Sequence, residues 1–206
     1  MEYQTQKFNI PSIEGISQKT IEEHLKLYAG YVKHVNIISE TIKEMNKYTG
    51  EGMPMPEGTT YAINEMRRRF SFEFNGMRNH EYYFEQLEGG PNMGNSESAL
   101  AKQMEKDFGS SQAWFDEFKK ICLTRGIGWA ILYYDKKADK LINAWVDEQH
   151  LGQLNGLEFI YGLDMWEHSY YIDYTPAEKK KYVEAYTMAT NQDVVEKRFE
   201  KAKAQI

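Results

Sequence analysis

Five histidines and one cysteine bound the ligand and nucleophile chemistry open to this 206-residue chain. His34 stands in a Lys-His-Val context with no acidic partner and reads as a surface residue. His150 falls in DEQHLGQ, where a strand gives way to a loop. His24 and Tyr31 are seven residues apart with Tyr28 between them, so on a helix all three project from one face. His80 holds a comparable position within NHEYYF, and His168 follows Asp164 by four residues in LDMWEHSYY. A lone imidazole is more often packed or solvated than functional. An imidazole and a carboxylate at a strand end, flanked by Trp166 and Tyr170, are costly to bury unless they pair or bind a metal. Adding His24 and His80 gives three imidazoles and one carboxylate, a set that suits iron, manganese or zinc. A cysteine-type zinc site is excluded, because Cys122 is alone. Spacing by itself leaves open whether the two halves of the chain meet.

The elements that must position these residues follow from periodicity. Ile21, Leu25, Tyr28, Val32, Val35 and Ile38 predict a helix from Ser17 to about Met45. The stretch 49–60, TGEGMPMPEGTT, reads as a loop by its Gly and Pro content. Ile63, Met66, Phe70, Phe74 and Met77 predict a second helix from about Thr60 to Leu87, antiparallel to the first. EGGPNMGNSES (88–98) reads as a linker between a domain at 1–90 and another at 91–206. Two short helices divided at Gly109 come next, with Ser110 or Ser111 as N-cap. GWAILYYD, KLINAWVDE and LEFIYGLDM then read as strands, the first two joined by the turn KKAD. From about Pro176 to Ile206 the pattern is helical again, with Tyr182, Ala185, Tyr186 and Ala189 on one face. The predicted class is α+β: an N-terminal antiparallel helical hairpin, then a C-terminal α/β domain whose three-stranded antiparallel sheet is flanked by helices.

Composition narrows the function. With 41% hydrophobic and 14% aromatic residues the chain can bury a core. A formal net charge of −6 argues against binding nucleic acid or an anionic membrane surface. No apolar run approaches the ~20 residues of a membrane helix. The start, MEYQTQKFNIPSIEG, lacks a basic segment leading into an apolar one, and a single cysteine suits a reducing compartment, so a cytoplasmic location is expected.

The string GLDMWEHSYYIDY (162–174) resembles the signature of the iron/manganese superoxide dismutases, Asp-x-Trp-Glu-His-x-Tyr-Tyr. HLKLYAGYVKHVN (24–36), FNGMRNHEYYF (74–84), MEKDFGSSQAWFDEFKK (104–120), GIGWAILYYD (126–135) and NQDVVEKRF (191–199) resemble further segments of that family, in the family's order. The resemblance implies superoxide as substrate and one Fe or Mn ion per subunit, bound by His24, His80, Asp164 and His168, with solvent as fifth ligand. It implies a gateway role for Tyr31 and an aromatic wall of Trp129 and Trp166. An outer-sphere amide is expected from Gln149, with His150 also eligible and Gln153 a weaker third. Gly76 matches the small residue of members whose amide comes from the C-terminal domain, the manganese-like arrangement. A homodimer or homotetramer is implied, with Glu167 and Tyr171 near the interface.

Three departures matter. In the family the ligand histidine precedes the gateway tyrosine by eight residues rather than seven, so an ungapped match puts Glu23 at the ligand position. His24 is the expected ligand, since imidazole suits the charge and geometry of the site. Tyr28 stands where the family has histidine, and Gln192 where it has tryptophan. A mononuclear iron oxygenase and a non-enzymatic member that keeps the fold and metal site are the competing readings. For an acidic protein that attracts an anion, Lys26 and the run Lys179–Lys181 are the candidate steering charges.

Overall fold

The computed structural model describes residues 2–49 and 56–204. Helix α1 spans Gln18–Thr49 and α2 spans Glu57–Glu85. Ser17 Oγ accepts from the Thr20 amide at 3.2 Å, an N-cap that fixes where α1 begins. The helix continues past Met45 because nothing in IKEMNKYT breaks it. The α2 start falls at Glu57, directly after Pro56, three residues before the expected Thr60. Residues 50–55 of the predicted 49–60 loop lie outside the described residues, and at its ends Thr49 and 57–60 are helical instead. The buried stripe Ile21, Tyr28, Val32 and Val35 of α1 packs on Met77, Tyr83 and Phe84 of α2.

Helices α3 (Ala99–Phe108) and α4 (Ser111–Cys122) are separated at Gly109. That residue has φ +90°, the left-handed C-cap conformation that glycine adopts without a Cβ penalty. Ser98 caps α3 and Ser110 caps α4. Strands β1 (Gly128–Asp135), β2 (Lys140–Asp147) and β3 (Glu158–Asp164) form an antiparallel sheet in the order β2-β1-β3. The central strand β1 is buried along almost its whole length, which explains its continuous apolar run. Trp129 pairs with Asp164 across the β1–β3 ladder, so an aromatic ring and a carboxylate share one end of the sheet.

The helical stretch expected from about Pro176 forms two helices, α5 (Lys179–Ala189) and α6 (Gln192–Ala204), after a 3₁₀ turn at Pro176–Glu178. Thr190 is extended, and the Asn191 side chain accepts from the Asp193 amide at 3.2 Å, so a new N-cap starts α6. Tyr182, Tyr186 and Ala189 are buried on one face of α5, as their spacing requires. Among the described residues no helix is long and apolar enough to cross a membrane.

Candidate metal centre

Four elements each contribute one polar side chain to a single buried point. His24 comes from the second turn of α1, His80 from near the end of α2, and Asp164 from the last residue of β3. A 3₁₀ turn, Glu167–Ser169, then returns the chain and brings in His168. One donor atom from each residue lies within 4.8 Å of those of the others. The Asp164 Oδ2 atom is the hub, at 3.1 Å from His24 Nε2, 3.4 Å from His80 Nε2 and 3.1 Å from His168 Nε2. Four donors bound to one ion at about 2.0–2.2 Å would stand about 3–4 Å apart, so the separations fit a common metal. His80 Nε2 is buried with no hydrogen-bond partner, the state of a nitrogen whose lone pair is meant for an ion.

The electrostatics agree with that reading. Burial depresses the pKa of His24, against the pull of Asp164. Burial first, and then the charge of His24, depress that of His80 to about 3. Both imidazoles are therefore neutral and able to donate a lone pair. Burial alone would raise Asp164, but His168 and His24 outweigh it and hold the carboxyl well below its ordinary range. His80 Nδ1 donates to the Gly76 carbonyl at 2.6 Å, which fixes the ring and directs Nε2 inward. Ser169 Oγ and Tyr182 hydroxyl both donate to the Asp164 carbonyl, and the Trp166 amide donates to its Oδ1.

With metal absent, His80 must stay neutral while the unfolded chain takes up a proton near pH 6.5. Its folded pKa is depressed, so its contribution is intact above pH 6.5 and is lost as pH falls toward 3. Urea unfolding of the metal-free protein is expected to show stability declining below pH 6.5, by up to about 1.4 kcal/mol per pH unit for each imidazole kept neutral. A flat profile from pH 7 to 4 would contradict this.

Around the cluster, Tyr31 lies with its ring 5.0 Å from that of His80. Its hydroxyl accepts from Gln149 Nε2 at 3.0 Å, and Gln149 Oε1 accepts from the Trp129 indole at 2.9 Å. Trp129 packs edge-on to His80, and Trp166 stacks on His168. His150, the other eligible residue, sets its ring against Phe72 at 5.8 Å. Gln153 donates to Asn79 and to the Gln149 carbonyl instead of reaching Tyr31. Glu23, the ungapped alternative, is exposed and paired with Lys26. Tyr28 is fully buried, donating to Glu81 at 3.2 Å and accepting from the Gln6 amide at 3.0 Å, so its hydroxyl is occupied within its own chain.

Sequence reasoning missed Asn79, whose Nδ2 holds the Gln149 carbonyl at 3.0 Å. It stands directly before His80 in the quoted segment, but its role shows only once the loop after β2 is seen against α2. The spacing puts Tyr182 on one face of a helix, and its bond to the Asp164 carbonyl leaves no trace in that spacing.

A helical hairpin, a three-stranded sheet and a buried cluster of three imidazoles and one carboxylate define the class: an α+β protein with a metal-binding cluster. Residues 96–198 match the family described as iron/manganese superoxide dismutases, C-terminal domain. The chain is 34% identical over 177 residues to a protein of Cupriavidus metallidurans named superoxide dismutase (Fe), covering 84% of this chain and 83% of that one. It is 33% identical over 192 residues to one of the same name from Aquifex aeolicus, covering 93% and 87%. To a Haloferax volcanii protein named superoxide dismutase (Mn) 2 it is 34% identical over 190 residues, covering 91% and 88%. The chain belongs to the iron/manganese superoxide dismutase family.

Proposed function

We propose that this chain is a superoxide dismutase, converting superoxide to dioxygen and hydrogen peroxide at one iron or manganese ion per subunit. His24, His80, Asp164 and His168 would hold the ion between the portions 1–90 and 91–206. The observation that carries the reading is the convergence of these four donors beneath an ordered line from Trp129 through Gln149 to Tyr31. When bound, the ion supplies one-electron exchange with superoxide in both directions. Three neutral imidazoles and one carboxylate sum to a single negative charge, which is compatible with a divalent or a trivalent ion.

The surrounding residues handle protons and access. An indole N–H can only donate, so Trp129 faces the Gln149 carbonyl oxygen and turns the amide NH₂ toward Tyr31. Because the Tyr31 oxygen accepts from Gln149, its own proton is free to be donated toward the cluster. Burial, with the charge of Asp164 behind it, raises the Tyr31 pKa, so the phenol keeps that proton until a stronger base draws on it. Exposed Glu167 and Tyr171 beside the His168 turn support assembly of two or four copies through that face.

Gln149→Leu would leave the Trp129 indole and the Tyr31 hydroxyl without a shared partner. It is expected to retain metal and lose about 10–100-fold in kcat/KM, the usual cost of an outer-shell change. Stopped-flow superoxide decay with parallel metal analysis reads both. For the proposal as a whole, the protein is purified without added metal, analysed for its elements, and assayed after reconstitution with iron or with manganese. Near-stoichiometric iron or manganese with superoxide turnover is expected. Folded, metal-loaded protein inert toward superoxide would overturn the proposal and favour the non-enzymatic reading.

A further inference from the structure

The site draws an anion past a buried carboxylate in a protein of net charge −6, so a local cation must offset the repulsion. Of the cations singled out in the sequence, Lys26, Lys179 and Lys181 are engaged elsewhere. Lys26 is paired with Glu23 at 2.8 Å and Lys181 with Glu178 at 2.7 Å. Lys179 reaches the Thr124 carbonyl and lies over Trp145.

A different cation stands at the aromatic wall. The Arg69 guanidinium lies 3.7 Å from the Phe72 ring centroid, a cation–π seat. The Phe72 ring is 6.0 Å from that of Tyr31 and 6.3 Å from that of Trp166. One aromatic ring thus separates the charge from the gateway phenol. Arg69 Nε donates to Glu73 Oε1 at 2.8 Å, but the pair is asymmetric: the Arg69 side chain is 46% exposed and that of Glu73 only 8%. The carboxylate lies beneath and the positive charge faces outward. Among the described residues the terminal guanidinium nitrogens make no hydrogen bond, so donors remain for an anion. The adjacent Arg68 is spent on Glu65 through two hydrogen bonds.

We propose that Arg69 is the guiding cation of the site, a positioning residue that gathers small anions over Phe72 and delivers them to Tyr31. For superoxide this rests on the function proposed above, whereas attraction of a small anion does not. The sign of the effect distinguishes charge from structure. Arg69→Ala is expected to lower kcat/KM for superoxide about two- to fivefold at low ionic strength, leave kcat unchanged, and converge on the parent as salt shortens the Debye length. Arg69→Lys restores the salt dependence, and Glu73→Gln, which unmasks the cation, raises kcat/KM at low salt. Azide supplies a readout independent of turnover: titrated spectroscopically into the iron-loaded protein, it binds more weakly to Arg69→Ala by a similar factor and regains affinity in Arg69→Lys. Coincident salt profiles and azide affinities for the parent and Arg69→Ala, or Arg69→Lys behaving like Arg69→Ala, overturn the proposal. If the parent fails to turn over superoxide, the function above falls, and the azide series alone still decides whether Arg69 draws an anion.

Discussion

Asp164→Asn is expected to fold and to lose its metal. The carboxylate is fully buried, and one of its oxygens stands 3.1–3.4 Å from three imidazole nitrogens. Asparagine preserves the size of the side chain and an acceptor for the Trp166 amide, which now bonds to Oδ1. What it cannot preserve is the charge, and its NH₂ would sit where Oδ2 now faces the imidazoles. A donor then occupies the place of an anionic ligand, and the only negative charge of the donor set is gone. Outer-shell changes alone cost metal sites about 10–100-fold in affinity, so removal of the charged ligand should cost more than about a hundredfold. Competition against a chelator gives the affinity, elemental analysis the occupancy, and stopped-flow spectroscopy the loss of turnover. Near-stoichiometric iron or manganese in Asp164→Asn would remove the carboxylate from the proposed ligand set. Glu23→Ala is the control, because its exposed side chain pairs with Lys26 away from the cluster, and it should keep its metal.

How much of this was legible beforehand depended on whether a local rule decided it. The α1–α2 hairpin follows from periodicity, because one buried face sets each helix, and β1 and β3 follow from short apolar runs buried on both faces. Ligand chemistry favours His24 over Glu23, and the structure places the imidazole in the cluster and the carboxylate in solvent. Gln149 and His150 were harder to separate. They follow Glu148, whose φ of +51° breaks the alternation of side chains at the end of β2. Once the chain turns through that conformation, strand parity no longer says which of two neighbours faces inward. The break between α5 and α6 has a local signal: the polar run from Thr190 to Asp193 interrupts the apolar spacing, and Asn191 caps the new helix. Tyr28 shows the opposite limit. A tyrosine in place of histidine gives no hint that Glu81, fifty-three residues on, will take its proton bond.

The tight approach of α2 to Tyr31 carries the other large expected effect. A Cβ added at Gly76 would lie 2.5 Å from Tyr31 Cδ1 and 2.7 Å from its Cε1. The ring has little room to yield: it packs on His80 and Phe72, and Gln149 holds its hydroxyl. Helix propensity alone would make Gly76→Ala stabilising by about 1 kcal/mol. Overpacking is expected to reverse that sign, for a net loss of about 1–3 kcal/mol. Displacing the ring also breaks the Gln149–Tyr31 bond and disturbs His80, whose Nδ1 is held by the carbonyl of Gly76 itself. Turnover should therefore fall by about 10–100-fold, as for Gln149→Leu. A double-mutant cycle separates the steric cause from a general intolerance of alanine at this position. In a Tyr31→Ala background the clashing ring is gone, and Gly76→Ala should become stabilising by about the helix-propensity increment. Denaturant melts of the four proteins measure the coupling. If Gly76→Ala destabilises equally with and without the Tyr31 ring, the contact between them is not what position 76 protects.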